Sequence, residues 1–272
     1  MIDNNKFQEL LKEYKNELKG SRWDDEKFKW QAIKGFQDNW NIEANDFYTM
    51  LKKSLDKTFN LLASTHYFPK KMIIEFAQKE PETVRQMFIE LFDESKDLYD
   101  RMVSFKTKSK ELVSKYWKPN NNDFQTENTI TTYLWLRYPD KYYIYKFEEA
   151  KSLSNEIKTS YVFKAGDYKN NIKNLMGLYD EICVELSKDE ELIQIVQSKL
   201  EDDCYDDPKC KTLVIDFGHF VNQRQKAAKN EDEKVSLSVK EEIEDYSSNE
   251  CNSSRFWKIS HGTDSVSDAQ FN

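Results

Sequence analysis

The densest run of residues able to do chemistry is YLWLRYPDKYYIYKF, 133–147, in which Arg137, Lys141 and Lys146 are interleaved with Trp135, Tyr138, Tyr142, Tyr143 and Tyr145. Cations meet phosphates and aromatic faces stack on bases, so such a mixture can form a nucleic-acid platform. Arg137, Lys141 and Lys146 are then the expected phosphate contacts, with Trp135 and Tyr138 as stacking residues. A helix that stops at Tyr138 ahead of Pro139, followed by a buried strand with packed and hydrogen-bonded tyrosines, would account for the same residues without any ligand. Pro139 and Asp140, followed by Glu149-Ala150-Lys151, also trace the outline of a PD-(D/E)xK nuclease. That chemistry needs two carboxylates on adjacent strands around a divalent cation, with the lysine beside the attacked phosphate. Ala150, Leu153 and Ile157 instead place Glu149 and Lys151 on an amphipathic helix, which argues against a metal-dependent nuclease.

Other constellations read as structure. Trp23, Trp30 and Trp40, with Phe28, Ile33 and Phe36, could line an aromatic cage for a modified base or a methylated lysine. The helical spacing of Trp23, Trp30 and Ile33 favours core packing. Cys204 and Cys210 flank the acidic stretch CYDDPKC, with His219 beyond it. The close pairing of zinc ligands and a fourth ligand are missing, so a loop is expected there and no metal. Cys183, Cys204, Cys210 and Cys251 are too few and scattered for a disulfide framework, and are expected reduced. His66, His219 and His261 stand apart and fit no Ser/His/Asp or Cys/His pattern. GxxxxGK[ST], GxGxxG and HExxH are all absent. No cofactor is expected, and the chain by itself is not expected to be an enzyme.

Composition bounds what must position these residues. With Gly 6 and Pro 5 in 272 residues, turn-rich all-β sandwiches and barrels are disfavoured. Aromatics at 14% supply large side chains for a core, which excludes disorder over the whole chain. No run approaches the ~20 apolar residues of a membrane helix, and the polar start MIDNNKFQELLKEY lacks a signal peptide's apolar stretch, so a cytoplasmic protein without membrane contact is expected. Half of the net charge of -8 falls in residues 226–250, where Lys226, Lys229, Lys234 and Lys240 face Glu231, Asp232, Glu233, Glu241, Glu242, Glu244, Asp245 and Glu250. That stretch is poor in apolar residues and reads as an acidic flexible linker, 226–254. The remaining body, 1–225, is near neutral and lacks the basic field of a non-specific DNA binder.

Helical periodicity dominates the body, giving a mainly α fold: a multi-helix domain with a few short strands. Asn45 or Asp46 is suited to cap a helix whose stripe runs through Phe47, Met50, Leu51, Leu55, Thr58, Phe59 and Leu62. Pro81 opens another through Val84, Phe88 and Leu91. Ile172, Leu175, Met176, Tyr179, Ile182, Cys183 and Leu186 form the cleanest stripe, after which Ser187 and Glu190 suggest a capping box for a helix carrying Leu192, Ile193, Val196 and Leu200. Strands are expected at KYYIYKF (141–147), TLVIDF (212–217) and FWKIS (256–260).

Four blocks, FKWQAIKGFQDNWNIEANDF, NLLASTHYFPKKMIIEFAQKEPETVRQMFIELFDE, TYLWLRYPDKYYIYKFEEAK and LEDDCYDDPKCKTLVIDFG, resemble the N-terminal region of McrB-like AAA+ proteins, the motors of modification-dependent restriction systems. The resemblance covers most of 1–225. It implies a DNA-targeting or assembly module without catalysis of its own, whose partners would be modified DNA, a nuclease subunit or the AAA+ motor that hydrolyses NTP. In such proteins a linker and often an EVE or PUA-like module follow, and RFWKISHGTDSVSDAQFN, 255–272, resembles the truncated start of one. A protein-interaction scaffold that recruits a partner subunit without touching nucleic acid is the alternative, supported by the near-neutral body.

Overall fold

The structure is a computed structural model describing residues 2–64, 66–118 and 121–230, so the strand expected at 256–260 and the linker beyond 230 lie outside the described residues. The chain divides into a compact unit, Met1–Gln223, and a second from Arg224 onward, of which residues 224–230 are described and are helical. The first unit is built from helices in the order α1 (Asn4–Lys19), α2 (Arg22–Glu26), α3 (Phe28–Asn39), α4 (Phe47–Ser54), α5 (Phe59–Leu62), α6 (Pro69–Lys79), α7 (Pro81–Leu91), α8 (Leu98–Tyr116), α9 (Glu127–Arg137), α10 (Phe147–Glu156), α11 (Tyr168–Leu186) and α12 (Glu190–Lys199). It closes with α13, residues 211–223. Among the described residues no helix is long and apolar enough to cross a membrane.

The expected helices form where their stripes and caps lie, with two adjustments. Asp46 caps α4 by accepting the Thr49 amide at 3.0 Å. The stripe from Phe47 to Leu62 is not one helix, however: α4 ends at Ser54, and a 3-10 turn at Asp56–Thr58 leads into α5. The turn rotates the register, so Phe59, expected on the buried face, is 67% exposed while Leu62 is buried. Pro81 opens α7, whose Val84, Met87, Phe88 and Leu91 are buried. The α12 cap is Asp189, which accepts the Leu192 amide at 2.8 Å, and not Ser187, whose hydroxyl bonds back to the Val184 carbonyl.

No sheet forms among the described residues; the only pairing there is an isolated bridge between Ser64 and Tyr67. The two expected strands within this region fail for different reasons. TLVIDF lies in α13, where Leu213, Val214, Ile215, Phe217, Phe220 and Val221 are all buried. A helix buried all round shows the same continuous apolar run as a buried strand, so periodicity cannot separate them. Its start is fixed by Asp207, which sits at φ 47° and accepts the amides of Thr212 and Leu213 at 3.1 and 2.8 Å. Asp207→Ala should cost about 1–2 kcal/mol, as for a lost N-cap, read as an earlier thermal transition in circular dichroism.

Residue 141 lies in a turn and residues 142–146 form neither helix nor paired strand. Helix α9 meets their backbone in place of a strand: the Thr131 hydroxyl accepts the Tyr145 amide at 2.9 Å and the Asn128 carboxamide donates to the Tyr145 carbonyl at 3.0 Å. Tyr142, Tyr143, Ile144 and Tyr145 are buried as expected of core residues. Their hydroxyls are satisfied: Tyr142 donates to Glu94 and accepts from Arg101, Tyr143 donates to Asp180, and Tyr145 accepts from Asn171.

Candidate functional site

The most unusual feature of the core is charged. Asp216 of α13 is fully buried within an otherwise apolar run, and ions are buried only when paired. The Arg22 guanidinium of α2 donates from Nε and Nη2 to its two carboxylate oxygens at 2.9 and 3.0 Å. Lys29 Nζ of α3 donates to Oδ1 at 2.6 Å, and the Tyr14 hydroxyl of α1 donates to Oδ2 at 2.7 Å. Burial opposes ionisation of Asp216, but Lys29 and Arg22 outweigh it and hold the carboxyl well below its usual range. Burial, with Asp216 beside it, raises the Tyr14 hydroxyl well above its ordinary value and keeps it a donor.

One turn on along α13 the network opens toward solvent. His219 Nδ1 lies 2.7 Å from Glu149 Oε1 of α10, and Nε2 lies 3.4 Å from Glu26 Oε1 of α2. Glu26 also accepts from Lys29 at 2.5 Å, and Glu149 from Lys146 at 3.0 Å. Gly218 is required beside them, because a Cβ there would stand 2.5 Å from the Tyr179 hydroxyl oxygen. Burial acts against a charged imidazole, yet the hydrogen bond to Glu149 and the nearby Glu26 carboxylate prevail and raise His219 above its ordinary value of 6.5. Both carboxyls are lowered: burial works to raise them, and His219 with Lys29 or Lys146 overcomes it. A group whose pKa is raised by folding contributes stability that is complete below the unfolded value and is lost as pH rises through the folded one. The His219 imidazole should therefore titrate above 6.5 in an NMR pH series, and Glu149→Gln should bring the midpoint down.

These groups line a cleft of about 270 Å³ whose polar walls are Glu26, Lys29, Asn60, Asn128, Lys146 and His219, over apolar Phe28, Leu61 and Ile144. Convergent polar groups on an apolar floor, with shifted titrations, are the usual marks of a ligand site.

The residues expected to contact nucleic acid are only partly brought together. Trp135 is fully buried and its indole N–H donates to the Thr212 hydroxyl at 3.3 Å, which leaves its ring no free face for a base. Lys146 belongs to the cleft, whereas Arg137 and Lys141 do not line it. Lys141 pairs with Glu94 at 2.8 Å. Tyr138 is half-buried, donating to the Phe92 carbonyl at 3.1 Å, and the Arg137 guanidinium lies 4.7 Å from its ring centroid. Arg137 has no ion-pair partner among the described residues.

The nuclease outline is not assembled. Asp140 accepts the Tyr205 hydroxyl at 2.9 Å, Glu149 is held by Lys146 and His219, and among the described residues no group of His, Cys, Asp or Glu could hold a metal ion. Cys183, Cys204 and Cys210 are free and buried. Trp23 and Trp30 pack on each other with ring centroids 4.9 Å apart, and Trp40 stacks on Phe36, also at 4.9 Å. They are core residues and form no open cage. No family model, curated protein or solved structure matches the chain.

Proposed function

We propose that this chain is a non-catalytic assembly module of a McrB-like, NTP-dependent restriction or defence protein of the cytoplasm, holding a nuclease subunit or the AAA+ motor in place. The sequence blocks suggest the family. The observation that favours assembly over DNA contact is the commitment of the expected DNA-binding side chains: Trp135 is internal, Lys141 is paired with Glu94 and Lys146 with Glu149. Elsewhere too the cations face carboxylates, as in Lys106–Glu127, Lys108–Glu90 and Lys57–Asp203. Counterion release needs cations free to meet phosphates, and paired ones contribute little. The test is light scattering of the chain mixed with the product of the neighbouring gene, beside gel shifts with plain and methylated duplexes. A stable complex without a DNA shift is expected. A duplex shift with no protein complex would overturn assembly.

The second function is DNA targeting, favoured by the unpaired Arg137 beside the half-buried Tyr138 ring. It requires that duplex affinity fall with salt and with Arg137→Gln or Lys141→Gln; unchanged affinity in both variants removes it.

A further inference from the structure

We propose that the cleft between α2, α3, α5, α9 and α13 is a binding site for a small oxyanion of the phosphate class, held by the ammonium groups of Lys29 and Lys146 and the imidazolium of His219. This goes beyond the assembly role and does not rest on it.

The first reason is the balance of charge. The walls of the cleft carry Lys29, Lys146 and protonated His219 against the single carboxylate of Glu26, a surplus of positive charge at the walls, while Glu149 and Asp216 do not line it and Arg22 is met by Asp216 and Glu17. That surplus sits on an apolar floor of Phe28, Leu61 and Ile144, where a charge is less screened than on the open surface. The second is the count of N–H groups. Lys29 Nζ carries three and spends two on Glu26 and Asp216, while Lys146 Nζ spends one on Glu149 and keeps two. His219 Nε2 faces Glu26 Oε1 at 3.4 Å, longer than a good N–H···O bond, so an anion oxygen can compete for that proton. Asn60 adds a carboxamide with no partner among the described residues. The third is size: about 270 Å³ admits one tetrahedral anion and several waters, at about 30 Å³ per water, and no macromolecule.

Occupancy is coupled to the protonation of His219. The charged and titratable groups around it are Glu26 from α2, Lys29 from α3, Glu149 of α10 with Lys146 just before it, and Asp216 one turn back on α13, itself paired with Arg22 and Tyr14. Tyr179 of α11 stands against Gly218 on the same helix. When the imidazole is neutral the positive charge at the cleft walls falls by one, and the anion loses part of its attraction.

The experiment follows the His219 imidazole resonances of the whole chain by NMR while inorganic phosphate is added at constant ionic strength, with chloride as the control. Below the His219 titration, phosphate should give a saturable one-to-one shift that chloride does not, and above it the shift should weaken. Lys146→Gln should weaken binding by about ten- to a hundredfold, the factor for a lost charge-assisted hydrogen bond, and Lys141→Gln should leave it unchanged. Asn60→Ala, at an exposed position, should weaken it too and guards against a folding defect in the Lys146 variant. No saturable shift, wild-type affinity in both the Lys146 and Asn60 variants, or a response to duplex DNA where phosphate gives none, would overturn the site.

Discussion

Asp216→Asn should lose about 3–5 kcal/mol of unfolding free energy, a large share of the ~5–15 kcal/mol that holds a domain. The substitution keeps the shape but removes the charge that compensates two buried cations, Arg22 and Lys29, whose side chains are 5% and 2% exposed. Glu26 remains near Lys29, but Arg22 keeps only the Asp216 backbone carbonyl, Gln223 and the more distant Glu17 at 3.5 Å. Leaving a buried ion uncompensated costs more than the intact pair contributes, because the desolvation of each partner has no offset. The wild-type chain should show the corresponding acid limb. Asp216 is depressed by folding, so its contribution is present above the unfolded carboxyl range and is lost only as pH falls through the folded value. Urea titrations of both chains from neutral to acid pH check this: their stabilities should converge as the pH drops. A difference independent of pH would mean that the loss is steric.

Much of the helical body is legible in the sequence because apolar stripes and caps are local. Phe47, Val84, Phe88, Leu91 and the series from Ile172 to Leu186 mark helices by spacing alone, and the structure buries each of them but Met176, which is partly buried. The misread segments are those where tertiary contacts decide. KYYIYKF has the aromatic and β-branched residues of a strand, yet side chains of α9 satisfy its backbone at Tyr145, and TLVIDF owes its helix to Asp207 and to burial on every side. The site was half visible. Lys146 stands out by its aromatic neighbours, but His219 and Glu149 lie 70 residues apart, and Asp216 is 187 residues from Lys29. One signal was available: a lone aspartate inside LVIDFGHF is a charge among core residues, which obliges a cationic partner somewhere in the chain. Which cation answers it is a fact of topology and cannot be read from spacing.

Phe88→Ala should be about as costly as losing the buried carboxylate, by an unrelated mechanism. Phe88 is fully buried, and its ring meets those of Trp40, Phe105 and Tyr133 at centroid distances of 5.2, 5.4 and 5.3 Å, in edge-to-face arrangements. Phe47 and Phe92 complete the shell at 6.4 and 5.6 Å. The substitution removes the buried apolar area and leaves a cavity walled by large rings from α4, α8 and α9 and from Trp40 and Phe92, just past the ends of α3 and α7. Rigid rings anchored on several helices cannot collapse far inward, so a loss of about 3–5 kcal/mol is expected, toward the upper end. Phe59→Ala is the matched control, because a side chain left mostly in water should change stability by no more than about 0.5 kcal/mol. Denaturant midpoints with unchanged slopes measure both effects. Because Phe92 carries the contact onward to the Tyr138 ring at 5.9 Å, the same cavity should loosen the Arg137–Tyr138 corner, seen as faster amide exchange at Tyr138. Asp216→Asn acts on α1, α2, α3 and α13 instead and should leave Tyr138 protected until global unfolding. An equal increase at Tyr138 in both variants would mean that the aromatic and ionic halves of the core open as one unit.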